Sequence, residues 1–165
     1  MKDIYSEFFK MIIENEVHFD MESKYLELLK EIAYEGTIEK LTDTLHIYLN
    51  NLSNRDYQKF DEKYVKIICY AIAVSFNSDY YIKSELEVNR NYTDLLILAK
   101  NPEYYSILIE FKYLKKEDKD KLSEKQKEAR EQLETYSEHE WIRDIQKLKK
   151  YTMVAVVDDI YVEEI

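Results

Sequence analysis

Apolar residues recur three and four positions apart through the first half of the chain, and at nearly every second position through much of the second half. Ile4, Phe8, Met11 and Ile12 mark one helical face. Tyr25, Leu28, Leu29 and Ile32 mark another, which stops at Gly36, a residue suited to the position just past a helix end. Thr37 reads as the N-cap of a third helix carrying Ile38, Leu41, Leu45, Tyr48 and Leu49. Ser53-Asn54-Arg55-Asp56 breaks the pattern. A fourth helix is expected over about 61–76, and its stretch from Val65 to Val74 is apolar almost all round. That predicts a helix buried on most sides and packed against a sheet.

After Asn77 the period changes. Strands are expected over 80–88, 93–99 and 105–111, joined by Asn89-Arg90-Asn91-Tyr92 and by Lys100-Asn101-Pro102-Glu103-Tyr104, both short enough for antiparallel hairpins. A polar Glu/Lys/Gln-rich helix follows over 123–137. Strands over 151–157 and 160–164 then flank an Asp158-Asp159 turn. The order from residue 61 is α-β-β-β-α-β with one further strand. The fold class is α/β: a mixed sheet flanked by helices (56–165), preceded by a helical extension or connector (1–55).

Composition narrows the chemistry. One glycine among 165 residues leaves no room for a P-loop or a dinucleotide-binding fingerprint, and no G-x-S-x-G nucleophile elbow. The single cysteine, Cys69, excludes an internal disulfide and a cysteine-built zinc site, and reads as a small buried hydrophobe. No stretch approaches the roughly 20 apolar residues of a membrane span, and the N-terminus has no apolar secretory core. A cytoplasmic protein without a membrane partner is expected. The net charge of −10 is unlike that of a chain holding nucleic acid mainly by phosphate neutralisation. Basic residues concentrate only between Lys112 and Arg130 and in Arg143, Lys147, Lys149 and Lys150. By themselves these fit a solvated face.

Asp94 and the tripeptide Glu110-Phe111-Lys112 stand out. Alternation along a strand puts Glu110 and Lys112 on one face and Phe111 on the other. A hairpin centred on Pro102 sets positions whose numbers sum to 204 opposite one another, which brings Asp94 face to face with Glu110 at about 5 Å. Two carboxylates so close, among Leu95, Leu96, Ile97, Ile107, Leu108 and Ile109, call for a bridging cation. Mg²⁺ or Mn²⁺ held by Asp94 and Glu110, with Lys112 beside it, suits phosphodiester hydrolysis. Taken as a bare spacing, the same residues also fit ordinary charges near strand ends.

The placement of these residues resembles the PD-(D/E)XK nuclease superfamily. That restriction-endonuclease-like core runs α-β-β-β-α-β, with its Asp on the second strand and E-x-K on the third. Gln132-Leu133-Glu134-Thr135-Tyr136, on the following helix, resembles the Gln-x-x-x-Tyr motif of the RecB-like branch. The pattern Ser84-x-x-Glu87, Asp94-Leu95-Leu96-Ile97, Ile109-Glu110-Phe111-Lys112 and Ala129-x-x-Gln132-x-x-x-Tyr136 is similar to the C-terminal domain of a bacterial family with an AAA-ATPase-like N-terminal region. The resemblance covers residues 55–165 closely and the preceding helices loosely. It departs at the turn before the aspartate, where Asn89 and Asn91 stand for glycines and Tyr92 for an arginine.

The resemblance implies a Mg²⁺-dependent nuclease, linked to an ATPase domain in a larger protein. Asp94, Glu110 and Lys112 would be catalytic, and nucleic acid, DNA in preference to RNA, would be the partner. Gln132 and Tyr136 would support site and substrate. Glu62 would be an additional carboxylate near the metal, although its place in the first turn of a helix also fits a dipole-favoured acid. Glu87 would either reach the site from the neighbouring strand or lie on the surface. His18, His46 and His139 lack ligand spacing. The alternative is the same fold used as a catalytically silent or gated binding module, which the acidic charge and the changed turn favour.

Overall fold

The computed structural model describes residues 21–53, 55, 57, 60–88 and 91–165. The face expected at Ile4, Phe8, Met11 and Ile12 lies outside these residues, as do His18, Asn54, Asp56, Asn89 and Arg90. Helix α1 (Met21–Lys30) continues into a wider π-helical turn over Glu31–Glu35 and ends at Gly36. Helices α2 (Glu39–Asn50) and α3 (Glu62–Val74) follow. Strands β1 (Tyr80–Val88), β2 (Asn91–Ala99) and β3 (Ser106–Leu114) lead to a 3₁₀ turn (Lys116–Lys121). Helix α4 (Leu122–Ser137), short helix α5 (Glu140–Arg143), and strands β4 (Leu148–Val156) and β5 (Asp159–Glu164) complete the order.

The strands form one mixed sheet in the order β1-β2-β3-β4-β5. Only β3 and β4 run parallel; the other neighbours are antiparallel hairpins. A parallel pair needs a crossover, and α4 with α5 supplies it. The two faces of the sheet are covered differently. Leu95, Ile97, Ile107, Ile109, Phe111, Met153 and Ala155 form the main core with α1, α2 and the Val65, Cys69, Ala73 stripe of α3. Leu96 and Leu108, on the opposite face, pack with Leu133 of α4 and Ile142 of α5. Each such leucine, fully buried, contributes about 1.5–3 kcal/mol. Among the described residues no helix is long and apolar enough to cross a membrane.

Gly36 ends the first helix as its sequence suggests, in the left-handed region at φ 71°, with its N–H on the Glu31 carbonyl at 3.0 Å. A side chain there would also collide: a Cβ would lie 2.8 Å from Tyr105 Cγ. The Tyr151 hydroxyl donates to the Gly36 carbonyl at 2.7 Å, tying this corner to β4.

Four sequence expectations need correction. Thr37 does not cap α2. The helix begins at Glu39, and its first N–H groups are met by the buried Glu31 carboxylate, which accepts from Glu39 N–H (2.6 Å), Lys40 N–H (2.9 Å) and the Thr37 hydroxyl (2.8 Å). A full carboxylate in that place offers more acceptor capacity and a better match to the helix dipole than one hydroxyl. Helix α3 is buried less completely than expected. Val65, Cys69 and Ala73 are fully buried and Ile68, Tyr70 and Ile72 pack half-buried against the same core, while Tyr64 and Ile67 remain exposed. The β4–β5 turn is Val157-Asp158, with Val157 at φ 59°, not Asp158-Asp159, and β4 begins three residues earlier than expected because parallel pairing starts at Ser106↔Leu148. Finally, β2 begins at Asn91, two residues before the expected Thr93.

Candidate active site

The β2–β3 hairpin has the register that Pro102 implies: Leu95↔Ile109, Leu96↔Leu108 and Ile97↔Ile107, each pair summing to 204. The ladder stops before Asp94 and Glu110. Asp94 reaches past its neighbour, and its Oδ2 accepts the Phe111 N–H at 2.9 Å, a bond a backbone carbonyl would otherwise take. Asp94, Glu110 and Lys112 are all buried, at 8%, 3% and 5% exposure. Charges rarely sit so deep unless paired. Lys112 Nζ donates to Glu110 Oε1 at 2.8 Å and to the Phe111 carbonyl at 2.9 Å, and lies 3.7 Å from the Glu62 carboxylate.

Electrostatics follow from this crowding. Burial, with Asp94 adding to it, outweighs the Lys112 ammonium and pushes the Glu110 carboxyl up to about 8. Burial works against the Lys112 ammonium, but Glu110, Glu62 and Asp94 prevail and hold it above its ordinary value. Burial also raises Glu62, against the opposing pull of Lys112.

Helix α4 brings the second set of residues. Ala129, Leu133 and Tyr136 form its buried stripe. Burial, then the carboxylates of Glu110, Asp94 and Glu62, push the Tyr136 phenol up to about 12, so it is a neutral hydroxyl at physiological pH. Gln132, one turn before it, has a buried Oε1 with no hydrogen-bond partner. Glu110 Oε2 is likewise buried and unpartnered. Buried polar atoms are nearly always satisfied, so the orphaned Glu110 Oε2 beside Asp94 and Lys112 marks an oxygen left for a further partner.

A family model for the PD-(D/E)XK nuclease superfamily matches residues 60–163, spanning α3 through β5. The chain belongs to that superfamily. No relative among curated proteins matches it. Members of the PD-(D/E)XK superfamily are generally nucleases that hydrolyse phosphodiester bonds, usually with divalent metal ions, and the mixed α/β sheet here is that fold.

The residues present fit a hard divalent cation. Glu110 Oε2 is an orphaned oxygen, and Asp94 supplies a second carboxylate. Among the described residues no three Asp, Glu, His or Cys side chains gather as a metal-binding group. Two carboxylates with the remainder of the shell left to water match Mg²⁺ better than a full protein cage would.

Of the residues singled out from sequence, the structure brings together Asp94, Glu110, Lys112, Glu62 and Tyr136, with Gln132 on the same helix. Glu87 is exposed and pairs with Tyr92 across the hairpin. The acid that reaches the site from β1 is Glu85, whose Oε1 accepts from Lys66 Nζ at 2.9 Å. The same Nζ lies 3.3 Å from Asp94 Oδ1. Both Lys66 and Glu85 went unnoticed in the sequence. The signal was the β1–β2 register: observed partners sum to 179, which sets position 85, not 87, across from 94. Lys66 is one helical turn beyond Glu62, on the same face of α3.

The basic run after Lys112 is largely engaged within the chain. Lys119 pairs with Asp159, Lys121 with Asp118, Lys125 with Glu128, Lys127 with Glu131, and Arg130 with Glu163. A surface cleft of about 480 Å³, lined by Pro102, Tyr104, Trp141 and Ile145, lies at the far end of β2 from Asp94.

Proposed function

We propose that this chain hydrolyses phosphodiester bonds of nucleic acid, with Asp94 and Glu110 holding Mg²⁺ or Mn²⁺ and Lys112 acting beside them. The observation that carries this reading is the buried, unpartnered Glu110 Oε2 set beside Asp94 in a chain of the PD-(D/E)XK superfamily. When bound, the cation polarises a phosphoryl oxygen and makes a bound water more acidic. Lys112, fixed by Glu110 Oε1 and the Phe111 carbonyl, keeps a third N–H to orient water or to meet negative charge developing at phosphorus. The Phe111 N–H holds Asp94 in one orientation through Oδ2, which leaves Oδ1, paired with Lys66, as the oxygen a cation would take. The neutral Tyr136 hydroxyl and the Gln132 amide offer hydrogen bonds to the substrate strand.

We further infer DNA in preference to RNA as substrate, a cytoplasmic setting, and linkage to an ATPase domain of a larger bacterial protein. The helical extension (1–55) would connect the two. The substrate and the ATPase linkage rest on the likeness of the motifs from Ser84 to Tyr136 to that family's nuclease domain, and the cytoplasmic setting on the single cysteine. A catalytically silent or gated module is the second reading, favoured by one observation: Lys66 already neutralises Asp94.

Labelled single-stranded DNA, double-stranded DNA and RNA, each incubated with Mg²⁺ or Mn²⁺ and with EDTA, test the reading. Cutting of DNA that EDTA and Asp94→Ala both abolish is the expected result. Equal cutting by Asp94→Ala, or none of any substrate by folded wild type, would overturn it.

A further inference from the structure

Lys66 occupies a position that the assignment above does not explain. It lies on α3, its side chain is only 12% exposed, and its Nζ bridges the carboxylates of Glu85 and Asp94. Asp94 Oδ2 is already committed to the Phe111 N–H, so Oδ1 is the oxygen left for a cation. Lys66 holds that same Oδ1. An ammonium and a divalent ion cannot share one carboxylate oxygen without strong repulsion.

Glu85 is equally unusual. It stands within β1 at φ 54°, a conformation that side-chain-bearing residues seldom adopt. Ordinary alternation would put Glu85 on the α4 face with Asp94 and Leu96, and Leu86 on the face of α3. Leu86 instead packs against the cluster of Leu96, Leu108, Leu133 and Ile142 on the α4 face, while the Glu85 carboxylate meets Lys66, which also reaches Asp94. The left-handed residue turns the strand locally and delivers a half-open carboxylate to the lysine. Strain of this kind persists where surrounding structure over-determines it, often at functional sites.

We propose that Lys66 is a built-in counter-cation, which holds Asp94 while no divalent ion is bound and transfers wholly to Glu85 when one binds. The inference rests on the reading of Asp94 and Glu110 as metal ligands. In the metal-free protein, Lys66 pairs with Asp94 and Lys112 donates to Glu110 Oε1. On metal binding, Lys112 keeps its contact with the Phe111 carbonyl, whereas Lys66 must yield its oxygen. Glu85, 61% exposed, gives the ammonium a partner beside which it is already hydrogen-bonded, so the displaced charge is not stranded. Lys66 is thus a positioning residue that sets metal affinity by competition.

The test is Mn²⁺ binding to the whole chain, read from the free-ion electron paramagnetic resonance signal, with Mg²⁺ calorimetry alongside. Lys66→Met should bind Mn²⁺ about tenfold tighter than wild type, an effect that merely loosening the structure would not produce. Lys66→Arg, keeping the charge, should bind like wild type. Glu85→Gln, which removes the alternative seat, should bind a few-fold more weakly although Glu85 touches no proposed ligand oxygen. The double variant should match Lys66→Met. If Lys66→Met fails to fold, Glu85→Gln carries the test alone. Unchanged or weaker binding by Lys66→Met, or unchanged binding by Glu85→Gln, overturns the proposal while Mn²⁺ binding lost in Asp94→Asn leaves the metal-site reading standing. No binding to wild type removes both.

Discussion

Lys112 Nζ and Glu110 Oε1 lie 2.8 Å apart, two residues from each other on one face of β3, and both are buried. Neither would be stable there alone. Lys112→Ala leaves the buried Glu110 Oε1 without its donor, so we expect a loss of about 1–3 kcal/mol, read by urea denaturation. Metal-dependent cleavage should fall about 100-fold or more, because no other group replaces the ammonium at the developing charge. Retention of full cleavage would remove Lys112 from the chemistry.

Glu110 also makes a pH prediction. Its carboxyl is raised from 4.5 to about 8 in the folded chain. The folded state therefore holds a proton that the unfolded state gives up at lower pH. The resulting stability is fully present below about 4.5 and is lost as pH rises through about 8. In EDTA, the Tm of wild type should decline across that window relative to Glu110→Gln, which has no proton to lose. Added Mg²⁺ should restore Tm most at the alkaline end, where the ionised carboxylate is free to bind it.

Gln132 separates stability from function. Its buried Oε1 has no partner, so Gln132→Leu should leave thermal stability unchanged or raise it by about 1 kcal/mol. The same change should weaken cleavage or substrate binding if the amide serves the strand. A variant that is both less stable and fully active would show that Gln132 is structural.

Much of this was legible in the sequence. The Pro102-centred turn set the β2–β3 register, while the apolar runs Leu95–Ile97 and Ile107–Ile109, buried on both faces of the sheet, marked the strands. The β1–β2 register was harder. A four-residue connection and a two-residue connection satisfy the same loose polar pattern, and the difference decides whether residue 87 or 85 faces Asp94. The reversal at Glu85 has no local signature, since glutamate does not announce a left-handed conformation as glycine or asparagine does. Glu31 was similarly hidden: a helical residue in the pattern of α1, it works as the cap of the next helix through a tertiary contact. Helix α3 was expected to be buried on most sides because composition does not reveal which of its apolar residues stay half-open.

Gly36 and Glu31 hold the corner where α1 meets the sheet. Gly36→Ala adds a Cβ in the left-handed region, 2.8 Å from the Tyr105 ring, and should lower stability by about 2–3 kcal/mol. Glu31→Ala removes the acceptor of two α2 N–H groups and of the Thr37 hydroxyl, for a loss of about 1–3 kcal/mol. Chemical denaturation checks both. Wild-type stability in either variant would contradict the packing described for this corner.

The most direct test of the central claim is a crystal of the protein soaked in Mn²⁺ and measured for anomalous scattering. The account predicts an anomalous peak within coordination distance of both the Asp94 and the Glu110 carboxylates. Mn²⁺ bound elsewhere with this pair left empty, or Lys66 still on Asp94 Oδ1 at saturating Mn²⁺, would contradict it.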